Sequence, residues 1–207
     1  MTTVQDLGRY GYQSQGFSVA GVMDVRSFKI ANLLLDNPEN EAVLEITLIG
    51  PTLEFTSATI IAITGGDFQP TINGEPAPMY TALYMNKGDV LKFGSARTGS
   101  RGYIAFSSYL DIPVVMGSRC TNLKSGLGGF KGRKLEADDY IGFRIKRRYL
   151  PFFLSRKLDM DEFDQIGVNQ QSFLKHILQK PVVNTRRPNA SAVESLRRYA
   201  SFIGTSN

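Results

Sequence analysis

The chain has 207 residues, 42% of them hydrophobic and 21% charged, with a formal net charge of +5; that is the make-up of a globular protein with a sizeable core in one or two domains. One cysteine and one histidine exclude an internal disulfide, a cysteine-rich zinc cluster and, ahead of His176, any histidine-based triad or multi-histidine metal site. The charge is divided: residues 1–143 hold 12 Lys/Arg against 14 Asp/Glu and residues 144–207 hold 12 against 5, balances of −2 and +7, so the first part is no electrostatic match to nucleic acid.

Thr2 to Asp24 opens the chain with four glycines, Gly8, Gly11, Gly16 and Gly21, set among polar and aromatic residues. No apolar period runs through it, so it is expected to be neither a core helix nor a plain strand. Polar side chains held on a glycine-rich backbone read as a site. Asp24 then caps a helix through Val25, Phe28, Ala31, Asn32 and Leu35, stopped by Asp36-Asn37-Pro38. It is expected to be the one substantial helix before residue 143.

From Ala42 the period becomes two, with Leu44, Ile46 and Leu48 as the core face. Leu53 and Phe55 continue the alternation after Gly50-Pro51. Ile60 to Thr64 is a buried-type strand ended by Gly65-Gly66-Asp67. Asn73-Gly74 is a hairpin turn. Strands follow at Ala82 to Met85, Val90 to Phe93 and Tyr103 to Ser107, with Arg97 to Gly102 as a turn. A second glycine-rich stretch, Gly117 to Asn122 and Gly126 to Arg133, leads to a last strand at Tyr140 to Phe143. Short strands with turns between them predict an antiparallel barrel or sandwich.

The composition changes after residue 143. Arg144 to Arg148 holds four basic residues, Tyr149 to Leu154 is aromatic and apolar, and short helices are expected at Phe173 to Leu178 and from Ser191. The chain is therefore divided into a β domain, 1–143, and a basic, partly helical tail, 144–207. No apolar run reaches the length of a membrane span and no charged-then-apolar leader opens the chain, which predicts a cytoplasmic protein with no membrane contact.

Arg9 and Arg101 each sit among glycines, and the planar guanidinium fork suits a carboxylate or phosphate. Taken singly, an arginine more often serves a structural ion pair. Asp6 and Asp24 are candidate bases or orienting groups, although Asp24 also serves as the helix cap. Glu45, if buried, requires a partner. Ser118 and Thr121 lack a histidine nearby for activation. Cys120 reads as a small buried residue. Gly126 to Gly132 lacks the Gly-Lys-Ser/Thr ending of a P-loop. Lys124, Lys131 and Arg133 nevertheless flank glycines whose N–H groups suit an anion-binding nest.

The strings TTVQDLGRYGYQSQG, AGVMD, LEITLIGPTLEF, ITGGD, INGEP, KGDVLKFG, GSRGYIAF, MGSRCTN and GLGGFKGRKL, in this order, resemble the biotin-dependent carboxyltransferase family, also called allophanate hydrolase subunit 2. The resemblance covers about residues 2–143. Ser108-Tyr109 stands where the family tends to have a glycine pair, and Cys120 where it has serine. The family's second half, with its Thr-Gly-Gly-Tyr-Pro string, has no recognised counterpart.

The resemblance implies a cyclophilin-like antiparallel β-barrel and two partners, one B-type and one A-type. It implies a C-type role in ATP-dependent opening of the 5-oxoproline lactam to glutamate. The alternatives are carboxyl transfer from biotin to urea or a related amide, non-catalytic binding of a B-type, Kip-inhibitor-like partner, and an inactive truncated fragment. No metal is implied. The motif positions carried over are Gln5, Asp6, Arg9, Gly11, Gln13, Gly16, Met23 and Asp24, then Arg101, Ser118, Thr121, Gly128, Gly129 and Arg133. Of these, Arg9, Asp6, Gln13, Asp24 and Arg101 are the expected catalytic positions and the others ligand-binding.

Overall fold

A computed structural model describes residues 1–145; the two helices expected in the tail lie outside the described residues. Nine strands, β1 (Thr2–Gln5), β2 (Val43–Thr47), β3 (Thr52–Glu54), β4 (Thr59–Asp67), β5 (Thr71–Ile72), β6 (Glu75–Pro76), β7 (Ala82–Met85), β8 (Val90–Lys92) and β9 (Thr98–Phe106), form two antiparallel sheets. One sheet runs β1-β2-β9-β4-β7 and the other β3-β8-β5-β6. The fold is mainly β, as the period-two alternation predicts.

Leu44, Ile46, Ile61, Ile63, Ile104 and Phe106 from the first sheet meet Leu91 of β8 and Phe55 and Phe93, each one residue beyond β3 and β8, in one apolar core. That burial is the main source of stability. The first sheet is buried on its other face as well, where helix α1 (Val25–Leu34) lies against β4 and β9. Thr64 Oγ1 on β4 donates to the Ser27 carbonyl of α1 at 2.8 Å. Asp24 caps the helix: its carboxylate accepts from Ser27 N at 3.0 Å and Ser27 Oγ at 2.5 Å. Among the described residues α1 is the only α-helix, as expected.

Five local expectations are corrected. Thr2–Gln5 is a strand, paired with β2 from Thr2↔Ile46 to Gln5↔Val43; it is too short for its alternation to show in the sequence. Leu48 does not join the core. β2 stops at Thr47, and Leu48 takes φ +60° and is 58% exposed, because the chain turns there to bring Ile49 against Ser95.

Gly65-Gly66-Asp67 continues β4 through a bulge to Asp67↔Thr98. Correspondingly, Thr98 to Gly102 is the first half of β9, so Arg101 lies on a strand and not in a turn. The glycines that looked like a stop let β4 lie close against β9 at the bulge, since a Cβ on Gly66 would meet the Thr98 and Arg101 carbonyls. Tyr140 to Phe143 forms only a single bridge, Leu110↔Phe143.

The Asn73-Gly74 hairpin forms as predicted, pairing Ile72 with Glu75. No helix among the described residues is long and apolar enough to cross a membrane.

Candidate functional site

The opening loop folds back on itself. Arg9 N donates to the Val19 carbonyl at 2.7 Å and Val22 N to the Asp6 carbonyl at 2.9 Å. Gly8 and Gly21 face one another so closely that a Cβ on Gly21 would meet the Gly8 backbone. The tip, with a 3-10 turn at Gln13–Gln15, is exposed. Gly11, Gln13 and Gly16 belong to that tip, where Gln13 Oε1 accepts from Gly11 N at 3.0 Å.

The base of the loop interlocks with the second glycine-rich stretch. The buried Asp6 carboxylate accepts from Ser118 Oγ and Arg119 N, each at 2.6 Å, and from Gly8 N at 2.9 Å. Thr121 donates to the Val4 carbonyl through both N and Oγ1, each at 2.9 Å. Gln5 Nε2 donates to the Thr121 carbonyl at 3.2 Å.

Arg9 is 0% exposed. Its Nε donates to the Val115 carbonyl at 3.0 Å and its Nη2 to the Cys120 carbonyl at 3.2 Å, with Nη1 on Cys120 Sγ at 3.6 Å. The fork expected to meet a ligand thus faces inward. Burial raises the Cys120 thiol above its ordinary range.

Gly128 and Gly129 both have positive φ, and a Cβ there would strike Arg9 Nη2 and Cys120 in the first case and Thr121 in the second. Only glycine lets this turn sit against Arg9. Gln5, Asp6, Arg9, Ser118, Thr121, Gly128 and Gly129 therefore come together as the joint between two loops.

The nest expected at Gly126 to Arg133 is taken up by main-chain carbonyls. Gly129 N donates to Arg119 O at 3.1 Å, Gly132 N to Gly128 O at 2.8 Å and Arg133 N to Phe130 O at 3.3 Å. The Arg133 guanidinium is bidentate on Asp139, with both bonds at 2.7 Å. Its hydrogen bonds hold Asp139 down at about 2.

At the other end of the opening stretch a second network forms. Glu45 is 7% exposed, and it has the partners a buried carboxylate requires. Oε2 accepts from Met23 N at 2.8 Å and Tyr103 Oη at 2.9 Å. Tyr103 Oη in turn accepts from Asp24 N at 2.7 Å. Oε1 lies 3.5 Å from Arg101 Nε. Burial first, then the neighbouring carboxylates, push the Tyr103 phenol well above its usual range.

Arg101 keeps 24% of its side chain exposed and donates Nη1 to the Ser100 carbonyl at 3.2 Å. Met23 is exposed. Arg9 and Arg101 thus belong to two separate networks, one at each end of the opening stretch. Tyr103 was missed by sequence reasoning. Its signal was parity: two residues from Arg101 on β9 and directly opposite Glu45 on β2.

Among the described residues no cluster of three or more His, Cys, Asp or Glu is arranged to hold a metal ion.

The family model described as "Carboxyltransferase domain, subdomain A and B" matches residues 15–168. The chain is 39% identical over 147 residues to the C component of 5-oxoprolinase from Escherichia coli, a match that covers 71% of this chain and 47% of that protein. It is 38% identical over 141 residues to urea amidolyase of Lachancea kluyveri, covering 68% of this chain and 8% of the relative. The crystal structure of the K. lactis urea amidolyase superposes with a TM-score of 0.67 at 36% identity, covering 69% of this chain and 9% of the other. The chain therefore spans about half the length of the 5-oxoprolinase C component and under a tenth of the amidolyases it matches.

Proposed function

Since the chain belongs to the carboxyltransferase domain family, we propose that it is a C-type component of a 5-oxoprolinase, opening the lactam of 5-oxoproline to glutamate together with A- and B-type subunits. The observation that carries this is the 39% identity to the C component of 5-oxoprolinase over 71% of the chain.

The chemistry asks for fixed donors where negative charge sits or develops on a planar amide acid. Of the arginines predicted at the site, Arg9 is interior and Arg133 is bound to Asp139, whereas Arg101 is partly exposed. On this reading Arg101 meets the ligand, with Met23 and Asp24 beside it on the Glu45–Tyr103 network. The joint of Asp6, Arg9, Ser118 and Thr121 keeps the opening loop in place, and the tip with Gln13 contacts substrate or partner.

The reaction implied by the family uses ATP. The glycine turn that most resembles a phosphate cradle has its Gly129, Gly132 and Arg133 N–H groups on main-chain carbonyls and its arginine on Asp139. It does not fit a nucleotide, so no step is routed through one on this chain, and ATP is assigned to a partner subunit.

A second reading has comparable support. The 38% identity to urea amidolyase favours a carboxyltransferase module that receives a carboxyl group from biotin and places it on an amide nitrogen.

The test is co-expression of the full chain with A- and B-type subunits and assay of ATP-dependent glutamate release from 5-oxoproline. Release above that of the A- and B-type subunits alone supports the proposal. Turnover only with carboxybiotin and urea supports the second reading. A stable complex with the B-type partner but no turnover of either kind contradicts both, and leaves a binding regulator.

A further inference from the structure

We propose that Arg101 forms a subsite for the carboxylate of a small ligand, and that Glu45 and Tyr103 are its positioning residues; this rests on the reading of the chain as a component that handles a small amide acid. Three observations carry it.

First, the guanidinium is anchored on one edge only. Its Nε is buried, makes no hydrogen bond, and lies 3.5 Å from Glu45 Oε1. Nη1 gives one bond to the neighbouring Ser100 carbonyl at 3.2 Å. The remaining Nη donors have no partner among the described residues, and the side chain is partly exposed. A planar fork with its end edge free matches the two oxygens of a carboxylate.

Second, Glu45 is itself immobilised. Its Oε2 accepts from Met23 N and from Tyr103 Oη, which accepts from Asp24 N. The carboxylate is therefore fixed by two further elements, the turn before α1 and β9, and cannot swing round to take the free edge of Arg101.

Third, the cation is only partly neutralised. A contact of 3.5 Å without a hydrogen bond leaves the guanidinium polarised toward solvent. A ligand carboxylate completes the pairing that Glu45 leaves unfinished. Glu45 thus aims Arg101 without occupying it.

The experiment uses the full chain with isotope-labelled arginine, following the Arg101 Nε–H signal by NMR. In the wild type that signal exchanges slowly with solvent. Added 5-oxoproline and acetate shift it saturably, while pyrrolidin-2-one, the same ring without the carboxylate, leaves it unmoved. Glu45→Gln accelerates the Nε–H exchange and, by releasing the guanidinium from its fixed orientation, weakens 5-oxoproline binding about tenfold, the scale of a misplaced binding group. Tyr103→Phe acts in the same direction and covers the case in which Glu45→Gln fails to fold.

Folded variants that bind and exchange like the wild type overturn the positioning role. A lactam without a carboxylate that shifts Arg101 equally well overturns the subsite, as does a signal that no carboxylate moves. If carboxylates shift Arg101 but the assembled subunits release no glutamate, the subsite stands and the oxoprolinase reading falls.

Discussion

Asp6 and Ser118 lie 112 positions apart and are joined by a 2.6 Å hydrogen bond in the interior. The same carboxylate holds the backbone of Arg119 and Gly8. Asp6→Ala leaves three donors, two of them in buried bonds, without an acceptor, and the expected loss is about 3 kcal/mol of folding stability. Asp6→Asn loses less but still presents an amide N–H to a donor. Urea unfolding of the two variants checks this, and a midpoint equal to the wild type for Asp6→Ala contradicts it.

Arg9 makes the second tie between the same loops. A fully buried guanidinium with main-chain partners supports the fold before it supports anything else. Arg9→Ala is expected to cost about 3 kcal/mol. Arg9→Lys does not restore it, because a single ammonium cannot reach Val115 O and Cys120 O with the geometry of the fork. Thermal melting distinguishes this from a purely catalytic role, in which the melting temperature stays put and only activity falls.

Asp139 gives a pH prediction. Arg133 holds its carboxyl at about 2 against an ordinary 3.8. A depressed carboxylate stabilises the folded form above the ordinary value, and that contribution disappears as pH falls from there through the folded value. The Arg133–Asp139 pair therefore persists at pH 4. Carbon NMR titration of Asp139 should give a midpoint near 2, moving back toward 3.8 in Arg133→Ala. A wild-type midpoint already at the ordinary value contradicts the pairing.

Cys120 is buried, and its thiol is shifted upward. It is expected to resist iodoacetamide at pH 8 in the folded protein and to react fully in denaturant. Rapid labelling of the folded chain contradicts that placement.

The sequence made some of this legible and concealed the rest for physical reasons. Helix α1 was readable because Asp24 and Pro38 bracket a helical apolar spacing. The Asn73-Gly74 hairpin was readable because the turn residues define it. Leu48 was misplaced because alternation carries no sign of where a strand ends, and here the chain turns into the second sheet one residue early. Gly65 and Gly66 read as a stop because a glycine pair has the same appearance in a turn and in a bulge between paired strands. The opening loop stood out in the sequence for its glycines and polar side chains. What its residues do was hidden, since polar residues that tie two loops together have the same composition as polar residues that face a ligand. Only burial separates Arg9 from Arg101.

That separation is read by glutamate release from 5-oxoproline by the chain assembled with A- and B-type subunits, comparing wild type with Arg101→Ala at matched melting temperature. Arg101→Ala is expected to melt like the wild type and to lose about tenfold or more in glutamate release at low 5-oxoproline, the scale of a lost hydrogen bond to a charged group. An Arg101→Ala chain that folds, assembles and releases glutamate at the wild-type rate contradicts it.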